Sequence, residues 1–409
     1  MFERINNLPS YAARCIQSAL RVTSLFLLIE FFDELNYGVQ STVLPAIRAD
    51  LGLDYAQVGA LLGISGVLGT LVEPALLLLG DTRWRRALML SGGLAIGVSL
   101  LLLAGAQTFF IALLSFVIGY PASGAFVSLA QASLMDAHPN RRTEMMARWS
   151  VAGSLGNLAG PLVLAAGFAL GLGWRWAFIA LGAFVLLLVS TTWISRLNVS
   201  APSTAGAAFT PLHLKELLPG LWRALRSPGL MRWFVLLELA DLLLDVYLSF
   251  IGLYLADVVG LTQAQVGLAL GGLMLASLLA DLWLVRLLNR HRGLRVVRVS
   301  ALLACLVYPA MLLAPWVGVK IALALGVRFT TLGWYQVLQA EAFDRLPGRS
   351  GTVMAISSLA SMLGSALIWL VGFTAARAGL PAAMWLLLAG PVALVLFTPT
   401  RVGPTKRES

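Results

Sequence analysis

The sequence predicts an all-α polytopic membrane protein: twelve transmembrane helices in two pseudo-symmetric six-helix halves, with both termini cytoplasmic. Three observations carry that expectation: the composition, the spacing of the apolar runs, and an internal repeat at an offset of 208 residues. Of 409 residues 59% are hydrophobic and only 12% are charged, against about 25% charged in soluble domains. A large soluble core does not explain the deficit, because a soluble surface still needs charge to cover it. The glycines are scattered through apolar runs, which excludes a collagen-like chain. The net charge of +10 sits in loops rather than on a basic face, so no nucleic-acid partner is expected.

About 20 apolar residues cross a bilayer, and twelve such runs follow in order. In the first half they are 22–47, 55–80, 86–105, 109–136, 143–171 and 174–194. In the second they are 229–255, 263–288, 294–313, 316–343, 351–378 and 381–397. Residues 1–21 form a cytoplasmic segment that lacks the apolar core and small-residue site of a cleavable signal. Within it, residues 11–21 read as a short amphipathic helix on the membrane surface. The domains are then bundles 22–194 and 229–397, a cytoplasmic linker 195–228 with a polar stretch and an amphipathic helix, and a tail 398–409. Orientation follows from the bases. Arg83, Arg85, Arg86, Arg141, Arg148, Arg290 and Arg292 fall on one side, and only Arg48, Arg175, Lys320 and Arg377 on the other. The positive-inside rule puts the richer side in the cytoplasm. The chain is expected in the plasma membrane, as in a bacterial inner membrane, and as a monomer in contact with lipid. Cys15 and Cys305 read as free thiols.

Sliding the chain by 208 residues superposes sparse polar landmarks without a gap. Glu30 and Asp33 fall on Glu238 and Asp241, Glu73 on Asp281, Gln131 on Gln339 and Asp136 on Asp344. Ala56-Gln57-Val58-Gly59 falls on Ala264-Gln265-Val266-Gly267. Apolar helices align with one another trivially; acids this rare do not.

Two six-helix halves joined by a polar linker resemble the major facilitator superfamily, and local motifs agree. Gly80-Asp81-Thr82-Arg83-Trp84-Arg85-Arg86 resembles the family's loop after the second span, in which an acid and a base lock the cytoplasmic side. That likeness implies gating roles for Asp81 and Arg85. Gly156-Asn157-Leu158-Ala159-Gly160-Pro161 resembles part of the fifth-span motif of drug/proton antiporters. The stretch from Leu53 to Gly59 is similar to fosmidomycin-resistance-type exporters.

Charges at mid-bilayer cost about 2.5–3.5 kcal/mol each, so they rarely lie there without a role. Glu30, Asp33 and Tyr37 are spaced to share one helical face, with Glu34 beside them. Glu238, Asp241 and Asp245 repeat the spacing. Glu73 and Asp281 stand nearer the cytoplasmic surface, where each either joins the pathway or pairs with a loop arginine as a gate. The family resemblance places the first and seventh helices on a central cavity, and both acidic stripes with them. Arg328 is the one base expected inside the membrane. It either neutralises a carboxylate such as Asp245 or Asp33, contacts an anionic group of the substrate, or forms an outer gate. Glu341 either senses the inner cavity or pairs with Arg345, and Trp334 and Tyr335 serve either helix packing or cation stacking. Trp174, Trp176, Trp316 and Trp385 read as interfacial anchors. His138, His213 and His291 lie in loops, and no hydrolase, metalloprotease or nucleotide motif is present.

Crowded carboxylates in a medium of low dielectric repel one another and exchange protons near neutral pH. The expectation is therefore a non-enzymatic secondary transporter without cofactor. A proton gradient would drive export of a cationic or amphipathic small molecule by alternating access. Two alternatives stand: a divalent-cation transporter using Asp33 and Asp241 as oxygen ligands, and a lipid flippase.

Overall fold

The computed structural model describes residues 10–80, 83–138, 141–194, 228–288, 290–344 and 350–399. They form twelve helical rods, with no strand among the described residues. In the first half these are α1 (Ser10–Leu51), α2 (Tyr55–Gly80), α3 (Arg85–Ala104), α4 (Phe109–Ala137), α5 (Arg142–Ala169) and α6 (Arg175–Ile194). In the second they are α7 (228–258), α8 (Gln263–Leu288), α9 (Gly293–Leu313), α10 (317–344), α11 (Ser350–Ala378) and α12 (Leu380–Phe397). Ten of them are long and apolar enough to cross a membrane. The other two, α1 and α7, carry the paired acidic stripes. The linker, the tail beyond Pro399 and residues 1–9 lie outside the described residues. Residues 10–21 run into α1 without a turn, so they are not the separate surface helix that the sequence suggested.

The Ala-Gln-Val-Gly repeat has a local cause: it opens a helix in each half. At α2, Asp54 Oδ1 accepts from Gln57 N at 2.7 Å and Gln57 Oε1 accepts from Asp54 N at 3.0 Å. At α8 the same reciprocal cap joins Thr262 and Gln265, at 2.9 and 3.3 Å. Such boxes satisfy two orphaned N–H groups at a helix start.

Regular helix fails at matched places. In α4 residues Gly124–Ser128 form a π turn. At the offset of 208, α10 breaks over Thr331, Leu332 and Gly333, and Gly333 takes φ +73°. That left-handed conformation suits glycine alone, and an added Cβ would also stand 2.7 Å from Leu284 Cδ1. Helix α7 has two π turns of its own, Leu242–Val246 and Tyr254–Val258, whereas α1 is α-helical throughout.

With lipid on the outside, helix association rests on close packing rather than on the hydrophobic effect. Helices α1 and α5 meet through the glycine run of the fifth span. A Cβ on Gly160 would lie 2.7 Å from both Leu35 O and Val39 N. Between the halves α2 packs on α11, with Gly59 against Gly372 and Thr70 Oγ1 3.3 Å from Ser361 Oγ. Helix α5 packs on α8, with Pro161 and Ala165 against Gly267. These contacts lie from mid-helix toward the ends that the charge pattern assigns to the outer face, called the outer end below.

Candidate substrate and proton site

The acids of α1 lie in two rows instead of one stripe. Glu30 and Glu34 turn toward α5. Glu30 is 8% exposed beside Gly153, and Asn157 Nδ2 donates to Glu34 Oε2 at 2.9 Å. Asp33 and Tyr37 turn the other way, where Ser123 Oγ of α4 donates to Asp33 Oδ1 at 2.6 Å. Positions 33 and 34 point about 100° apart, while 30 and 37, about 20° apart in direction, lie about 10 Å apart along the helix axis. With α5 on one side and α4 on the other, these offsets separate the rows.

Asp33 and Tyr37 open onto a cavity of about 310 Å³ inside the first half, walled by α1, α2, α3 and α4. Asn36, Gln40 and Tyr120 line it, and so does Glu73. Glu73 accepts from Ser128 Oγ at 3.3 Å and packs on Gly124. It shares a chamber with Asp33, and among the described residues it forms no ion pair with a loop arginine.

In the second half Glu238 is 7% exposed and tucked against Gly364 of α11, so it and Glu30 both turn inward to their own half. The carboxyl groups of Asp241 and Asp245 stand within hydrogen-bond reach of each other. Tyr37 Oη donates to Asp245 Oδ1 at 3.4 Å. Tyr37 and Asp245 are repeat mates, so their contact lies at the axis that relates the halves.

Among the described residues, Arg328 forms no ion pair with Asp245 or Asp33. Its Nε donates to Ser277 Oγ at 2.6 Å, and Nη1 reaches the carbonyls of Leu244 at 3.3 Å and Leu243 at 3.5 Å. Those carbonyls belong to the π turn of α7, where the regular ladder is interrupted. Asp281 is exposed, with Gln336 Nε2 at 3.5 Å from its Oδ1. Tyr335 is exposed within electrostatic range of Glu238, Asp241 and Asp245. Trp334 is fully buried and donates to Ser300 Oγ at 2.8 Å, a packing role. Glu341 lines an inner cavity of about 470 Å³ with Arg292, Arg295 and Arg298; Arg345 lies outside the described residues.

At the end that the charge pattern assigns to the cytoplasm, Arg85 is buried and pairs with Asp136 at 2.6 Å while Nε donates to Gly80 O. Asp81, its expected partner, lies outside the described residues. Several groups at the outer end escape a reading by span and loop. Arg48 pairs with Asp257 across the halves at 2.9 Å, and Tyr55 Oη donates to the same carboxylate at 3.0 Å. Trp174, expected as an anchor, is buried and donates to Asp50. Lys320 is a second buried base: Nζ donates to Met311 O and Leu312 O at 2.9 Å and to Tyr254 Oη at 3.1 Å. The one signal for it was its place eight residues past the last carbonyls of α9.

The metal alternative finds no support in this arrangement. Asp33 faces the first half and Asp241 pairs with Asp245, and no three His, Cys, Asp or Glu residues converge among the described residues.

The sequence model of the Major Facilitator Superfamily matches residues 26–369. OpdE of Pseudomonas aeruginosa, named a transcription regulatory protein, is 25% identical over 338 residues, covering 80% of each chain. Among solved structures, an inward-facing, unoccupied bacterial homologue of the human lysosomal transporter Spinster is similar at TM-score 0.73 and 16% identity, over 93% of this chain and 95% of that one. The nucleoside transporter NupG is similar at TM-score 0.73 and 13% identity, over 92% and 97%. At such identities the structures speak for the fold alone. With the family match over most of its length and helices built to cross a bilayer many times, the chain belongs to the Major Facilitator Superfamily, as a multi-pass membrane transporter and not an enzyme.

Proposed function

We propose that this transporter works by alternating access and exports a small cationic or amphipathic molecule in exchange for protons. The observation that carries the reading is the set of groups at the seam between the halves. Asp241 and Asp245 lie within hydrogen-bond reach of one another, and Tyr37 reaches Asp245 from the opposite half. Two carboxylates so close share a proton more readily than two negative charges. A cation arriving in the adjacent acidic cavity competes with that proton for the same field. Rocking of one half against the other then delivers the two to opposite sides. Asp33 and Asp241 act as the central acids with Glu30 and Glu238 assisting, and Asp81 and Arg85 serve the inner gate.

The test is transport of a fluorescent lipophilic cation into proteoliposomes under an imposed pH gradient. Flux should follow the gradient and fall to background in the Asp33→Asn, Asp241→Asn double variant. Unchanged flux in that variant would overturn the mechanism. Because one relative is named a transcription regulatory protein, binding without flux would mark a sensor rather than a carrier.

A further inference from the structure

The two halves part company at one pair of repeat mates, Arg328 in α10 and Tyr120 in α4. The guanidinium of Arg328 is held by Ser277 and the carbonyls of Leu243 and Leu244, and the charges of Asp245 and Asp281 act on it. Subtracting 208 turns those five residues into Gly69, Leu35, Asn36, Tyr37 and Glu73. Of these Asn36, Tyr37 and Glu73 line the 310 Å³ cavity, together with Tyr120 itself and Asp33, the mate of Asp241. The first half therefore keeps one of the two acids that act on Arg328, as Glu73, replaces the other with Tyr37, adds Asp33 to the same cavity, and has no guanidinium in it. Among the described residues neither Asp33 nor Glu73 has a Lys or Arg nitrogen within 4.0 Å, and each is met by one serine hydroxyl.

Resting on the transporter reading above, we infer that this cavity is the cation subsite. It takes a monovalent cation with a planar guanidinium or amidinium head, in the place that Arg328 fills in the opposite half. Such a head offers a fork of N–H donors that suits carboxylate oxygens. Asp33 and Glu73 supply the charge, and the side-chain carbonyl of Gln40 accepts what remains, held in place by its own amide, which donates to Asn36 Oδ1 at 3.1 Å. The ring of Tyr120 offers a face for the cation. The volume lies at the low end of the roughly 300–1,000 Å³ of ligand pockets, so the molecule is small.

The probe is n-butylguanidinium, with n-butylurea as its uncharged isostere, titrated against the purified full-length chain by intrinsic tryptophan fluorescence. The wild type should bind butylguanidinium at least tenfold more tightly than butylurea. Glu73→Gln and Tyr120→Arg, the latter importing the guanidinium of the other half, should each weaken binding at least tenfold with the thermal midpoint retained. Glu144→Gln, which removes an acid at the cytoplasmic end of α5, should leave it within twofold. Equal binding of the urea overturns the inference and needs no variant. So does undiminished binding in both folded variants. Failure of butylguanidinium to bind a chain that still moves another cation down a pH gradient overturns this inference alone. Binding with no gradient-driven flux overturns the transport reading instead.

Discussion

At the outer end of the seam, Asp257 accepts from Arg48 of the other half at 2.9 Å and from Tyr55 Oη at 3.0 Å. Arg48 also lies 4.2 Å from the centre of the Tyr55 ring. Asp257→Asn removes the charge but keeps the shape. Both members of the pair are 25% exposed, and exposed ion pairs contribute about 0.2–1 kcal/mol. The hydroxyl donated to a charged acceptor adds on the order of 1 kcal/mol after partial solvation. The contact thus favours outer closure by about 1–2 kcal/mol, roughly a 5- to 30-fold change in the closed-to-open ratio. Ser41, buried at 6%, has its carbonyl against Gly252 in the same seam. In a chain without Cys15 and Cys305, a cysteine at position 41 would be modified by an impermeant thiol reagent only when the outer end opens. Modification should speed up about 5- to 30-fold in Asp257→Asn, less, about 1.5- to 5-fold, in Arg48→Gln, which leaves the Tyr55 hydroxyl on Asp257, and hardly beyond Asp257→Asn in the double variant. Rates unchanged within twofold, or fully additive effects, would refute the latch.

Two more expectations concern packing and capping. Gly160→Ala places a Cβ 2.7 Å from the backbone of α1. It should cost about 1–3 kcal/mol through forced separation of the helices, read as a lower midpoint in tryptophan-detected thermal unfolding; an unchanged midpoint would mean that α1 gives way freely. Lys320→Met keeps the apolar stem and strips the donors from Met311 O, Leu312 O and Tyr254 Oη. Leu312 O keeps the Tyr254 hydroxyl at 3.5 Å, but the unsatisfied Met311 carbonyl should cost about 1–3 kcal/mol in the same assay, and a variant as stable as the wild type would show that water replaces the ammonium.

Most rods were legible because helix in a bilayer is nearly obligatory for an apolar run. The span 263–288 matches α8 end to end, and most other bounds agree within a residue or three. The capping boxes explain why a short polar tetrad survived as a repeat signal. What periodicity could not carry was direction. The stripe expected from Glu30, Asp33 and Tyr37 divides between α5 and α4, and Glu73 lines the same chamber as Asp33. Arg48 and Lys320 looked like loop charges because distance along the chain does not report which helix end lies opposite.

By itself the order of residues determined the class and the twofold repeat, since both follow from hydropathy and the recurrence of sparse polar residues. Only the packed bundle decided what each acid faces. One π turn in α7 shifts the phase of every residue beyond it, and glycine contacts set which neighbour fills each side. The guanidinium of Arg328 occupies one half and leaves its counterpart hollow. These are consequences of contacts between residues far apart in the chain, and no local pattern encodes them.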